Sequence, residues 1–323
     1  MSDSAETTGD GIGIAVTVVD RSSAPASGQP RTLAGTLEVL GAAACFSAIP
    51  IFTVLATDRG GASLESVLAG RYILAAIALL AIAGSAARRP VARGELWRLL
   101  VFGGVGQAAI AYLALSALRY LPAATMVFLF YTFPVWVAII GAVRGTERLT
   151  PRRLLALGLA LGGIWALVGS PWAGRLHPVG IGLTLAAAFV YAVYIPVIGS
   201  LQRNVGPVVA SMWVSVGAGA VFLIAGGSTG RLTTIATPLA WFGTAGLAIV
   251  STAVAFILFL RGLALLGPVR TAIASTAEPF FVAVLGALLL AQPASRATLL
   301  GGALVAAAVV VIATARERTP AAG

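Results

Sequence analysis

The chain has 323 residues, 59% of them hydrophobic and 10% charged, with a mean hydropathy of +0.98. Soluble domains carry about 25% charged residues, so an ordinary soluble protein is excluded, as is a disordered chain, and a single cysteine, Cys45, excludes a disulfide scaffold. The formal charge of +10 comes from 21 basic residues, all Arg, set in short clusters between apolar runs; that spacing lacks the dense patch with interleaved aromatics of a nucleic-acid binder and fits the loops of a membrane protein.

In chain order, residues 1–32 come first. They hold Asp3, Glu6, Asp10 and Asp20 among many small polar residues and read as a disordered cytoplasmic tail. Its apolar piece, Gly11–Val19, is too short to span and follows no basic region, so it is not read as a signal peptide. Ten apolar runs then recur, at about 34–56, 64–85, 98–118, 122–143, 153–169, 178–200, 206–227, 238–260, 269–290 and 297–314. A crossing needs roughly 20 apolar residues, so each suffices, the fifth at the short end. The runs are continuously apolar, which predicts helices and not the alternating strands of a barrel. Pro122, Gly206-Pro207 and Gly267-Pro268 mark the starts of the fourth, seventh and ninth. Residues 316–323 read as a second cytoplasmic tail.

Arg placement orients the spans. With a cytoplasmic N-terminus, the inner segments hold Arg21, Arg31, Arg88, Arg89, Arg93, Arg98, Arg144, Arg148, Arg152, Arg153, Arg203, Arg261, Arg270, Arg316 and Arg318. The outer segments hold Arg59, Arg119, Arg175, Arg231 and Arg296, and Arg71 lies within a span. The excess on one side predicts that both termini are cytoplasmic.

The chain also resembles itself. At an offset of 145, Pro134-Val-Trp-Val-Ala-Ile-Ile-Gly-Ala142 aligns with Pro279-Phe-Phe-Val-Ala-Val-Leu-Gly-Ala287. Ala48-Ile-Pro-Ile51 likewise matches Tyr194-Ile-Pro-Val197. Apolar identities arise easily by chance, so the prolines and glycines carry the signal. Each copy, 33–170 and 177–315, contains five spans. Five is odd, so the second copy enters the membrane from the opposite side. The predicted fold class is an all-α membrane protein of ten transmembrane helices arranged as two inverted five-helix repeats. Many secondary transporters share that plan, with substrate held near the midplane.

Charges within spans are costly and therefore candidates for function. Glu278 lies about 14 Å into the ninth span at 1.5 Å per residue, a depth suited to proton relay or to a cationic substrate group. Pro279 loosens the backbone beside it, as a cavity wall allows. Arg71, seven residues into the second span, is a candidate to bind a substrate carboxylate or pair with Glu278; snorkelling to the outer interface is the bland alternative. Glu38, near the cytoplasmic end of the first span, is a candidate gate or an interfacial carboxylate. Glu147, among Arg144, Arg148, Arg152 and Arg153, reads as a loop salt bridge or helix cap. Gln107, Tyr112, Tyr131, Tyr191, Tyr194, Trp213, Ser275 and Thr276 are candidates to line a cavity. Trp97, Trp172 and Trp241 sit near span ends, as an aromatic belt would. No GxxxxGK[ST] loop, His cluster or Cys cluster is present, so neither P-loop hydrolysis nor a zinc site is expected. The lone His177 cannot complete a Ser-His-Asp set, and no Asp lies in a span.

Four stretches bring in a family resemblance: Ala69-Gly-Arg-Tyr-Ile-Leu-Ala75; Tyr112-Leu-Ala-Leu-Ser-Ala-Leu-Arg-Tyr-Leu-Pro-Ala-Ala124; Pro134 through Gly145-Thr-Glu-Arg-Leu-Thr150; and Glu278-Pro279 with the helix that follows. Over about 34–314 the chain resembles the EamA family of the drug/metabolite transporter superfamily. The resemblance implies a ten-helix transporter of small metabolites, amino acids or drug-like molecules, often an exporter. The family often has an acidic residue after the fourth and ninth spans; Glu147 keeps it here, and Gln292 replaces it in the second repeat.

The expected function is therefore secondary active export of such solutes across the cytoplasmic membrane by alternating access. Import of the same solutes, or a non-transporting membrane scaffold, remains the alternative reading. No enzymatic activity, cofactor or metal is expected. The expected partners are a small-molecule substrate, membrane lipid and protons, without nucleic acid; oligomeric state is open.

Overall fold

A computed structural model describes residues 28–88, 90–147, 149–169, 176–290 and 296–314. The readings that fall on 1–27, Arg89, Arg148, Trp172, Arg175, Gln292 and 315–323 lie outside the described residues. Among the described residues ten apolar helices of membrane length follow one another: α1 (Arg31–Ala56), α2 (Leu64–Ala86), α3 (Arg93–Ala117), α4 (Ala123–Val143), α5 (Pro151–Val168), α6 (Pro178–Val205), α7 (Pro207–Ser228), α8 (Pro238–Leu266), α9 (Pro268–Leu288) and α10 (Arg296–Ala313). They correspond one to one with the expected spans. The short fifth has 18 residues, about 27 Å at 1.5 Å per residue.

Local chemistry sets the ends. Proline stands in the opening turn of α5, α6, α7, α8 and α9, where its missing N–H costs nothing. The side chains of Ser63, Thr150 and Thr237 accept a first-turn backbone N–H at α2, α5 and α8. His177 caps α6 in the same way, its Nδ1 accepting from the Val179 N–H at 3.3 Å. Gly206 and Gly267 join α6 to α7 and α8 to α9 at φ of 82° and 76°, a region that suits glycine.

The packing obeys the repeat. Helices α2 and α7, α4 and α9, and α5 and α10 pack on one another; exchanging the repeats maps each of these pairs onto itself. The pair α1 with α8 has its image in α6 with α3, and α1 with α9 in α6 with α4; all four contacts are present. A pseudo-two-fold axis relating two inverted halves accounts for this pattern.

Lipid tails are as apolar as leucine, so close approach of backbones holds such helices together. A Cβ on Gly104 of α3 would lie 2.5 Å from the Cα of Gly217 in α7. One on Gly301 of α10 would lie 2.7 Å from the Gly163 oxygen in α5. One on Gly262 of α8 would lie 3.0 Å from the Gly35 oxygen in α1.

Backbone cannot swing aside as a side chain can. Gly104→Ala should therefore force α3 from α7 and cost about 1–3 kcal/mol. Gly158→Ala, where nothing lies within 4 Å, should cost none. Thermal unfolding of the two variants in detergent checks the contrast; equal midpoints would contradict the glycine-contact account.

Candidate functional site

Three spans are interrupted. α1 breaks at Ser47-Ala48, between the helices Gly28–Phe46 and Ile49–Ala56. α4 breaks at Tyr131-Thr132 and α9 at Thr276-Ala277, positions 145 apart, so the last two breaks are repeat images. Pro50, Pro134 and Pro279 stand just after the breaks, where proline can start a helix but not continue one. Pro196 of α6 is the image of Pro50, yet α6 runs through it unbroken.

The breaks surround a cavity of about 310 Å³ lined by both repeats. From the first repeat come Phe46, Ile49 and Thr53 of α1, Leu64, Leu68, Arg71 and Tyr72 of α2, Gln107 and neighbours of α3, and Met126 to Phe133 of α4. The second repeat adds Tyr191 and Tyr194 of α6, Val214 of α7, Phe256, Phe259 and Leu260 of α8, and Ser275 and Glu278 of α9. The contributions follow helical spacing. Leu64, Leu68, Arg71 and Tyr72 fall at i, i+4, i+7 and i+8, one face of α2. The first-repeat residues lie in the halves of α1, α2, α3 and α4 nearest the 57–63 and 118–122 loops, so the cavity extends toward that face.

Glu278 opens the half-helix Glu278–Leu290, where a carboxylate meets the positive end of the helix dipole. The Tyr131 phenol lies beside it, and Tyr191 and the Arg71 guanidinium lie within its electrostatic reach. Rings continue from there. Phe133 and Tyr191 have centroids 4.6 Å apart, Phe130 and Tyr191 5.7 Å, Tyr131 and Phe133 5.8 Å, and Tyr191 and Tyr194 6.2 Å.

Arg71 is 6% exposed and does not snorkel. Its Nε donates to Thr252 Oγ1 at 2.6 Å and its Nη2 to the Ser251 carbonyl at 3.1 Å. Both acceptors lie in a π-helical stretch of α8, Ile249–Val254. The wider turn changes the carbonyl register there. The guanidinium also stands 5.1 Å from the Tyr72 ring centre. Ser251 Oγ in turn donates to the Cys45 carbonyl at 2.8 Å, beside the α1 break. Arg71 thus ties α2 to α8 across the repeats. Arg71 and Glu278 line one cavity, but neither joins an ion pair among the described residues.

Other candidates fall elsewhere. Tyr112 is 67% exposed; it follows the lining residue Ala111 and so points about 100° away round α3. Trp213 packs among the helices beside Met212 and Val214 without lining the cavity. Thr276 is fully buried in the α9 break, its hydroxyl donating to the Ile273 carbonyl at 2.6 Å. These three are corrections to the cavity expectation. Gln107 does line it, its Nε2 donating to the Tyr72 hydroxyl at 3.3 Å. Glu38 lies outside the cavity and meets Arg261 of α8 at 3.8 Å. Glu147 bonds Arg153 at 2.6 Å in the α4–α5 connection. Trp97 and Trp241 are exposed near their span ends. The residues that sequence reasoning missed are Tyr72 and the walls Phe46, Phe130, Phe133, Phe256 and Phe259, which carry no polar signal within an apolar run.

Comparison with known proteins agrees with this architecture. The model of the EamA-like transporter family matches twice, at residues 33–169 and 178–314. The chain is 27% identical over 271 residues to the uncharacterized transporter YcbK of Bacillus subtilis (strain 168), covering 80% of this chain and 86% of that one. A solved crystal structure shares the fold with a TM-score of 0.73 at 21% identity, over 86% of this chain and 95% of the other. This chain, a multi-pass membrane transporter, belongs to the EamA-like transporter family.

Proposed function

We propose that the protein is a secondary active transporter that exports small metabolites, amino acids or drug-like molecules across the cytoplasmic membrane by alternating access. The observation that carries this reading is the 310 Å³ cavity between the repeats, with a carboxylate and broken helices in its wall. Irregular backbone at membrane depth is stable only where protein or a water-filled cavity satisfies it, and substrate sites of inverted-repeat transporters form at such breaks. The direction rests on the family resemblance.

Alternating access needs two routes to one site. The cavity reaches toward the 57–63 and 118–122 loops, which the Arg distribution makes the outer face. Below it, Gln202 of α6 donates from Nε2 to the Leu260 carbonyl of α8 at 2.9 Å. Beyond that contact a second cavity of about 420 Å³ is lined by Pro196, Gln202, Arg203, Leu263 and Gly267 among others. The short stretch of α8 from Leu260 to Leu263 separates the two and serves as the inner barrier. Glu38 with Arg261 lies on the same side and acts as a latch of the inner gate. On the outer side Thr237 Oγ1 donates to the Gly60 carbonyl at 2.8 Å and Ser66 Oγ to the Thr233 carbonyl at 2.7 Å; these bonds hold the repeats together as the inner side opens. Glu278 is the binding or proton-coupling carboxylate, and Arg71 the cross-repeat tie.

Glu278→Gln should fold and insert normally yet lose at least tenfold of solute flux in proteoliposomes. Normal flux from the inserted variant would remove the assignment. Arg71→Lys should lower flux as well, because an ammonium cannot span Thr252 and Ser251 in the fork geometry of a guanidinium; wild-type flux would exclude the tie. In a Cys45→Ala background, Ser2→Cys and Ala322→Cys should both resist an impermeant thiol reagent until the cells are opened. Labelling of either end in intact cells would overturn the orientation.

A further inference from the structure

The two charges of the central cavity are treated unequally by the fold. Arg71 already has what a cation needs. Its Nε and Nη2 donate to neutral acceptors of α8, and its guanidinium stands near the Tyr72 ring. Glu278 has the Tyr131 phenol beside it and joins no ion pair among the described residues, the Arg71 charge acting on it only from beyond contact distance. A carboxylate whose nearest cation, Arg71, stands beyond ion-pair distance and is already bonded to α8 can take a further positive group. Around it the rings of Phe130, Tyr131, Phe133 and Tyr191 form a continuous wall with centroid spacings of 4.6 to 5.8 Å. Aromatic faces attract ammonium groups, by most when water is excluded. A volume of about 310 Å³ stands at the small end of ligand pockets, so the occupant is compact.

Resting on the transport reading above, we propose that the cavity takes a small amphipathic organic cation: an ammonium group held between Glu278 and the Phe130–Tyr131–Phe133–Tyr191 ring wall, carrying a compact apolar body. An anion would meet the Glu278 carboxylate, and the one cation within that carboxylate's reach, Arg71, has its Nε and an Nη2 proton committed to α8. A zwitterion would need Arg71 to release those acceptors and is the rival ligand class.

The test uses the purified full-length protein in nanodiscs and four probes of similar shape: phenethylammonium, phenylalanine, 3-phenylpropionate and 2-phenylethanol. Phenethylammonium should bind saturably and at least tenfold more tightly than the other three. Glu278→Gln should weaken it at least tenfold. Tyr191→Leu should weaken it about three- to thirtyfold, the range for a ring–cation contact, whereas Tyr191→Phe, which keeps the ring, should bind within about twofold of the parent. Equal or tighter binding of phenylalanine, or a preference for the anion, would overturn the cation class while leaving transport intact. Saturable cation binding without flux in proteoliposomes would instead remove the transport reading and leave the ligand class standing. Absence of saturable binding by phenethylammonium, or its indifference to both Glu278→Gln and Tyr191→Leu, would overturn the proposal.

Discussion

A backbone polar group inside hydrocarbon has no water to bond, and each one left alone costs several kcal/mol. Every irregularity in these ten helices therefore has to be met by protein or by a cavity. The interruptions at Ser47-Ala48, Tyr131-Thr132 and Thr276-Ala277 obey that constraint: residues flanking each of them line the central cavity. Thr132 and Thr276 help by turning their hydroxyls back to the carbonyls of Leu129 and Ile273. The π-helical turn at Ile249–Val254 obeys it too, because Arg71 takes up the Ser251 carbonyl.

The inverted repeat turns these local events into a device with two sides. Two of the breaks are symmetry images, but the third is not. α1 breaks at its proline, while α6 passes through the equivalent Pro196. The halves therefore share a sequence plan without sharing a conformation. The first repeat supplies walls that reach toward one face, and the second supplies much of the floor.

Interhelical approach in this chain depends on small residues more than on hydrophobic contrast. Gly104 against Gly217 and Gly163 against Gly301 bring backbones together directly. Polar ties stand at the ends and at the centre, among them Glu38 with Arg261, Glu65 with Arg231 and Arg71 with Thr252. The exposed pairs among them are worth little individually, so close backbone approach contributes more to holding the bundle together.

The amino-acid sequence by itself determined the number of spans, their helical nature and the duplication, because each follows from long apolar runs, from proline and glycine, and from counting to an odd number. It also singled out Glu278 and Arg71, since a charge in hydrocarbon stands out at any depth. The tertiary structure decided which face each helix turns inward. Tyr112 and Tyr131 are alike in sequence, both tyrosines within apolar runs, yet one points outward and the other reaches Glu278. Phe130, Phe133 and Tyr191 became one wall only when α4 packed on α6. The acceptors of Arg71 lie about 180 residues further along the chain. When the face toward lipid and the face toward the core are equally apolar, periodicity holds no contrast to tell them apart; only packing supplies it.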